Sequence, residues 1–244
     1  MSTIPSPVVP ESWFVRDLAA SLSDGEPDIH RLLAAAGVVR DDPHTFVSWL
    51  AGLSRNVNAV AAVVARSYWH PNGFAKLILH TSADPEFRIR LHVWPEASGA
   101  TARGESNPHS HRWEFASAVL TGVGMHMVEY REVTDRGKPF TRYRYGTDPE
   151  NPAALVADGT ARLFRTNSPH VSQGEVYACD TDVVHTVEPI GRGLTATIVV
   201  QGPRRTPTTV VYCAPGESDD QPNHPLSESD FQLLVKAVVT ECGG

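Results

Sequence analysis

After Gly73 the sequence consists of short β-type runs separated by turn residues. The clearest run is 87–94 (FRIRLHVW), where polar and apolar side chains alternate with the period of two expected for a strand. Many short strands with regular turns are typical of a sandwich or a barrel. The segment 146–160 is predicted to be a loop. The other runs are 74–79, 113–120, 124–130, 143–145, 161–164, 176–178, 183–187, 195–200 and 208–212.

Helical patterns flank this β-rich part on both sides. Apolar residues recur at helical spacing in 13–22, and a second helix is predicted to start after Pro27 and to end at Gly37. The sequence SESD at 227–230 predicts a capped helix near the end of the chain. We therefore predict one domain over 1–244, with a helical N-terminal region at 1–70, a β-barrel at 74–214 and a closing helix at 226–241.

Composition and charge exclude several classes of partner. The chain has 21 Lys and Arg, 28 Asp and Glu and a net charge of -7, without a dense basic run, so a nucleic-acid partner is not expected. The apolar stretches fall far short of the roughly 20 residues that a membrane span needs. No secretory signal is recognised at the start. The three cysteines form no CxxC pair and suit a reducing compartment, so a cytoplasmic location is expected.

The sequence GESNPHSHRWE at 104–114 carries two histidines, His109 and His111, with one residue between them. Residues i and i+2 of a strand point to the same face, so both imidazoles can be aimed at one point inside a barrel. A third ligand must come from a distant strand, and His185 supplies one because it follows a turn marked by Gly174. Neutral imidazole suits Fe, Zn, Cu and Ni. These three histidines are the predicted metal ligands.

Glu114 is the carboxylate nearest to this histidine pair. It lies three residues after His111, so on a continuous strand it faces outward while Trp113 and Phe115 face inward. We therefore favour a site of three histidines, with Glu114 at the surface or behind the ligands. The alternative, in which a β-bulge turns Glu114 inward as a fourth ligand, stays open.

These motifs resemble those of the cupin superfamily, although cupins place three or four residues between the second histidine and the glutamate, and this chain has two. The resemblance implies a mostly β protein, a double-stranded β-helix (jelly-roll) barrel with an N-terminal helical region and a C-terminal helix. It also implies pairing into a homodimer through strand edges. The residues that match the first motif are Gly104, His109, His111, Glu114 and Gly122, and those that match the second are Gly174 and His185.

The wider chain resembles the cysteine dioxygenase type of cupin, a branch with a three-histidine non-haem iron centre. The strand 87–94 is similar to the strand before the His-x-His in that branch, which also ends in Trp. The segment 74–77 is similar to the preceding one, where Phe74 and Lys76 replace the Tyr and Arg of the family. The resemblance implies Fe(II), O2 and a small-molecule substrate whose carboxylate Lys76 would bind. Zn, Mn and Ni are the alternative metals.

Further candidates come from the pattern of the chain itself. If the face of 87–94 that carries Trp94 points into the barrel, then Arg90 and His92 point inward too, which suggests a polar or anionic substrate. The alternative is that this face lies outside and the apolar face forms the core. Tyr177 and Tyr212 are candidate proton donors, or else core aromatics with satisfied hydroxyls.

Together these observations predict a mononuclear non-haem Fe(II) oxygenase, dioxygenase-like, that oxidises a small polar or carboxylate-bearing molecule such as an amino acid or thiol. A 2-oxoglutarate-dependent oxygenase needs a carboxylate in its metal-binding pair. Position 111 is His, which argues against this class. A redox-neutral metal-dependent lyase, isomerase or hydrolase remains an alternative. A non-enzymatic small-molecule-binding cupin is a second one, although the lack of a basic helix argues against a transcriptional sensor.

Overall fold

The computed structural model describes residues 13–23, 25–95, 105–145, 154–217 and 222–243. The helices in this part are α1 (Trp13–Leu22), α2 (Ile29–Asp41), α3 (Pro43–Ser54), α4 (Val57–Val64) and α5 (Glu228–Gly243). The strands are β1 (Tyr68–Trp69), β2 (Ala75–Ala83), β3 (Glu86–Trp94), β4 (Glu105–His109), β5 (Trp113–Thr121), β6 (Gly124–Val133), β7 (Lys138–Tyr145), β8 (Leu155–Asn167), β9 (His170–Ser172), β10 (Val176–Cys179), β11 (Val184–Pro189), β12 (Thr195–Arg204), β13 (Thr209–Cys213) and β14 (His224–Pro225).

The strands form two sheets of seven. The order is β10-β5-β12-β3-β2-β1-β14 in the first sheet and β11-β4-β13-β7-β8-β6-β9 in the second, where β11 also pairs with β6. From β9 to β13 consecutive strands belong alternately to the second and the first sheet, so the chain winds back and forth between the two sheets. This winding, with helices before and after it, is the predicted double-stranded β-helix of the cupin fold. None of the described helices has the length and apolar character that crossing a membrane requires.

The strand β3 is buried on both faces. Its apolar side chains, represented by Ile89 and Leu91, belong to a core cluster shared with Leu32 of α2 and Phe231 of α5. The helices therefore cover the outer face of the first sheet, and the polar face of β3 is left to line the barrel interior. The first interpretation of 87–94 is correct, because the face that carries Arg90, His92 and Trp94 points into the barrel. The alternative is wrong in placing this face outside, although the apolar face does form a core, under the helices.

Two local predictions were wrong. Gly37 does not end α2, which continues to Asp41; the helix stops because Asp42 precedes Pro43, and the residue before a proline disfavours the helical conformation. The Asp42 side chain then caps α3 by accepting a hydrogen bond from the Thr45 amide at 3.1 Å. The predicted loop 146–160 already contains the start of β8 at Leu155. Of the other predicted features, residues 1–12, Gly104 and 146–153 lie outside the described residues.

The capping box of α5 makes a pH-dependent contribution to stability. The Ser227 amide donates to Asp230 Oδ2 at 2.9 Å, and the Asp230 amide donates to Ser227 Oγ at 3.1 Å. The hydrogen bond from the Ser227 amide is the main cause of a lowered pKa of the Asp230 carboxyl. Since the folded-state pKa is lowered, the contribution is complete above the ordinary aspartate pKa and is lost as pH falls through the folded value.

We expect Asp230→Asn to lower the melting temperature at pH 7 by no more than about 4 °C, the shift that a 1 kcal/mol change gives in a domain of this size. The difference from the wild type should shrink towards zero as pH falls below the ordinary aspartate pKa and the wild-type carboxyl becomes protonated. Thermal melts at a series of pH values measure it. A difference that is the same at every pH would contradict the role assigned to the charge.

Candidate metal centre and substrate cavity

Three histidine rings converge at one side of the barrel. His109 is the last residue of β4, His111 follows in the connection to β5, and His185 lies in β11 as the register partner of His109. The ring centroids are 4.8 Å apart for His109 and His111, 5.0 Å for His109 and His185, and 5.1 Å for His111 and His185. One nitrogen from each ring lies within 4.8 Å of the others. The predicted ligands are thus brought together.

One pair of these nitrogens has the spacing of two ligands on a single metal ion. A first-row divalent metal binds imidazole nitrogen at about 2.1 Å, so two ligating nitrogens of one ion lie roughly 3–3.4 Å apart. His111 Nε2 and His185 Nε2 are 3.0 Å apart. His109 Nδ1 lies 2.9 Å from the Asn107 carbonyl oxygen, which accepts only, so this contact requires the ring proton on Nδ1 and leaves a lone pair on Nε2. The site therefore suits a divalent metal that prefers nitrogen donors.

The sequence suggested that both histidines of the His-x-His pair lie on one strand, but in the structure they do not. β4 ends at His109 and β5 begins at Trp113, and the chain passes between them from the second sheet to the first. Ser110 anchors this crossing, because its amide donates to the Val210 carbonyl at 3.0 Å and its hydroxyl accepts from the Val210 amide at 3.2 Å. The two rings meet because the chain turns between the sheets.

The Glu114 side chain points away from the three histidines. Its Oε2 accepts a hydrogen bond from Arg205 Nε at 3.2 Å, and Arg205 also donates to the Pro27 carbonyl at 2.6 Å and pairs with Glu26. Glu114 therefore ties β5 to the segment that leads into α2. The side chain of Phe115, its neighbour in β5, lines the cavity instead, as the alternation of a strand requires.

We expect Glu114→Gln to change metal affinity by no more than about twofold, because Glu114 is not a ligand here. The glutamine amide oxygen can still accept the hydrogen bond from Arg205 Nε. Competition with a chromogenic chelator measures the affinity. A loss of tenfold or more, without a change in the melting temperature of the metal-free protein, would show that Glu114 reaches the metal.

The histidines open on a cavity of about 260 Å³, lined by both sheets. This volume is just below the roughly 300 Å³ at the lower end of the range for ligand pockets, so the cavity suits a small substrate. Four of the predicted substrate residues line it: Lys76, Arg90, His92 and Tyr177. Other lining residues, which the sequence pattern did not mark as site residues, include Tyr68, His70, Asn72, Asn107, Trp113 and Tyr145.

Cationic side chains of the first sheet occupy two places on the cavity wall. The Arg90 guanidinium lies over the Trp113 ring at 4.9 Å, and that ring is 6.1 Å from the His111 ring. Lys76 Nζ lies over the Phe74 ring at 5.1 Å, and Lys76 is the register partner of His92. Arg90 thus faces the histidine end of the cavity, while Lys76 is directed towards Phe74.

Tyr212 is not part of the cavity. It is buried in β13, and its hydroxyl donates to Glu132 Oε1 at 2.8 Å. Burial, together with this contact to a carboxylate, raises the pKa of the Tyr212 phenol above its usual value. The neighbouring Val211 lines the cavity instead. The alternation of the strand therefore turns Tyr212 to the opposite face, and its predicted role as a proton donor at this site is not supported.

One residue beside the three-histidine cluster was missed. Cys179 ends β10 and lies next to His185, with its Sγ 3.7 Å from Nδ1. It lies two residues after Tyr177 in β10, so the two side chains share a strand face, and this shared face is the sequence signal that could have pointed to it. Two other histidines, His126 and His170, pair across β6 and β9 with rings 5.0 Å apart and do not belong to the three-histidine cluster.

No family profile and no curated protein matches this chain. Solved structures that resemble it include Fe(II) HppE, with a TM-score of 0.31, 14% identity, and 52% of this chain covered against 49% of that one. An oxalate decarboxylase from Bacillus subtilis gives 0.33 and 12%, covering 58% and 28%. The Cnp3 cupin domain of Schizosaccharomyces pombe gives 0.28 and 11%, covering 53% and 64%. Because one fold hosts many chemistries, the function must be argued from the cavity of this chain.

Proposed function

We propose that this protein is a mononuclear non-haem Fe(II) oxygenase that uses O2 to oxidise a small polar or carboxylate-bearing molecule. The observation that carries the proposal is the convergence of His109, His111 and His185 on one side of a cavity whose mostly apolar wall also carries Arg90 and Lys76. When bound, Fe(II) would be held by three neutral imidazoles, would keep coordination positions for substrate and O2, and would conduct electrons from the substrate to O2.

The residues of the cavity wall would bind and orient the substrate. Arg90 is buried and its guanidinium stacks on Trp113, so its fork of donors is held in one orientation and can receive a carboxylate through two parallel hydrogen bonds. Lys76 and His92 add donors further along the same wall. The anionic part of the substrate would then lie along the first sheet, with its reacting part at the histidines.

Aromatic side chains would exclude water from the reacting groups. Phe115 stands edge-on to the His111 ring at 5.0 Å, and Tyr177 stands edge-on to Phe115 at 6.0 Å. A dry cavity strengthens the electrostatic interactions inside it and suppresses side reactions. Tyr177, which lines the cavity, remains the candidate that would donate a proton to the substrate.

The proposal is tested by O2 uptake. The metal content of the purified protein is measured, the protein is reconstituted anaerobically with Fe(II), and O2 consumption is followed with thiols, amino acids and aromatic acids. Arg90→Met should lower kcat/KM about 10- to 100-fold, the effect of losing a charged hydrogen-bonding partner. The matched control is Arg165→Met, an exposed arginine of β8. If fully iron-loaded protein consumes no O2 with any member of the panel, the oxygenase proposal fails.

A redox-neutral lyase, isomerase or hydrolase is the second candidate, because three imidazole donors without a carboxylate also suit Zn and Ni. The same substrate panel, incubated without O2 on protein loaded with Zn, Mn or Ni and analysed for products by mass spectrometry, separates the two. Turnover under these conditions would favour the redox-neutral reaction.

A further inference from the structure

The Cys179 thiol lies directly behind the metal ligand His185. Its Sγ is 3.7 Å from His185 Nδ1, and both residues are 1% exposed. We infer that Cys179 is a positioning residue, which accepts a hydrogen bond from His185 and so holds this imidazole in the tautomer and orientation that bind metal. The inference rests on the three-histidine centre of the proposed function but not on its reaction.

The arrangement of the ring nitrogens sets the direction of this hydrogen bond. His185 Nε2 faces His111 Nε2 at 3.0 Å, so Nε2 is the nitrogen on the metal side. A neutral imidazole that ligates through one nitrogen carries its proton on the other. Nδ1–H therefore donates to Cys179 Sγ. Partners of this kind fix the orientation and basicity of ligating histidines in metal centres.

The thiol is itself oriented by the turn that joins β10 to β11. The Cys179 S–H donates to the Asp180 carbonyl oxygen at 3.6 Å. That carbonyl also accepts from the Val183 amide at 3.3 Å, which fixes it within the turn. Cys179 thus donates to the turn and accepts from the histidine. A serine hydroxyl can do both, whereas an alanine methyl can do neither.

The apolar surroundings strengthen the contact between Cys179 and His185. Cys179 packs in a small apolar cluster with Phe115 and Val199, and the Phe115 ring is 6.1 Å from the ring of His185. A hydrogen bond in such a region is stronger than one exposed to water, and solvent does not readily replace a lost partner there. His109, by contrast, is oriented by the backbone carbonyl of Asn107, which a substitution does not remove.

The test compares Cys179→Ala and Cys179→Ser in the full-length protein. Zn²⁺ affinity is measured by competition with a chelator, and Co²⁺-loaded protein is examined by visible absorption. The alanine variant should bind Zn²⁺ about 10- to 100-fold more weakly and change the Co²⁺ spectrum, whereas the serine variant should stay within about threefold of the wild type. Cys213→Ala and Cys213→Ser are the matched controls, since Cys213 is also a buried cysteine at the end of a strand.

Wild-type affinity and an unchanged Co²⁺ spectrum in Cys179→Ala would overturn the inference. So would an equal loss in the alanine and serine variants, which would assign the effect to packing. If Cys179→Ala does not fold, the infrared S–H band of a Cys213→Ser, Cys242→Ser double variant decides instead, because Cys179 is then the remaining thiol. The band should shift on Zn²⁺ loading, and an unshifted band in Zn²⁺-loaded protein would overturn the inference. Failure of the oxygenase proposal appears separately, as metal binding that depends on Cys179 without substrate-dependent O2 uptake.

Discussion

Replacing His185 with alanine should abolish stoichiometric metal binding. The substitution removes one of three nitrogen ligands, so the affinity loss should exceed the roughly 100-fold that follows from losing a partner behind a ligand. Only two donors, His109 and His111, would remain, and both belong to one segment of chain. Metal content after dialysis, together with the Zn²⁺ dissociation constant from chelator competition, measures the effect.

The matched control is His126→Ala, because His126 is a strand histidine outside the three-histidine cluster and should leave metal content unchanged. The melting temperature of metal-free His185→Ala reports whether the barrel still folds. Full retention of one metal per chain in a folded His185→Ala protein would show that the third ligand lies elsewhere.

Replacing Leu32 with alanine should cost about 3 kcal/mol of unfolding free energy, in the middle of the range for buried leucines. Leu32 is 0% exposed in α2 and packs against β12, where a Cβ added to Gly202 would lie 3.0 Å from its Cδ1. Gly202 therefore allows the helix to approach the sheet closely. The substitution leaves a cavity between the helical cover and the first sheet, and the melting temperature should fall by roughly 6–12 °C.

Leu33 supplies the control for this experiment, because it is the next residue of the same helix and is 40% exposed. Leu33→Ala should cost less than about 1 kcal/mol, since a side chain with this exposure buries less apolar surface. Urea unfolding of both variants gives the two free energies. Equal losses would mean that α2 does not use Leu32 to cover the sheet.

Much of the fold follows from local pattern. The alternation in 87–94 predicted β3, and the SESD sequence predicted the start of α5, because strand period and helix capping depend on neighbours in the chain. The ligands of the candidate metal centre were also predicted from the sequence pattern. His109, His111 and His185 were recognisable because residue type and turn spacing mark a ligand set before its members are brought together.

The remaining features depend on contacts between distant segments. Alternation shows that Tyr212 and Val211 face opposite ways, but only the winding of the two sheets decides which of them meets the cavity. Alternation along β10 places Cys179 on the same face as Tyr177, but only the packing of the two sheets puts its thiol behind a histidine of the opposite sheet. Periodicity along a strand distinguishes its two faces, whereas the neighbour of each face is set by packing across the barrel.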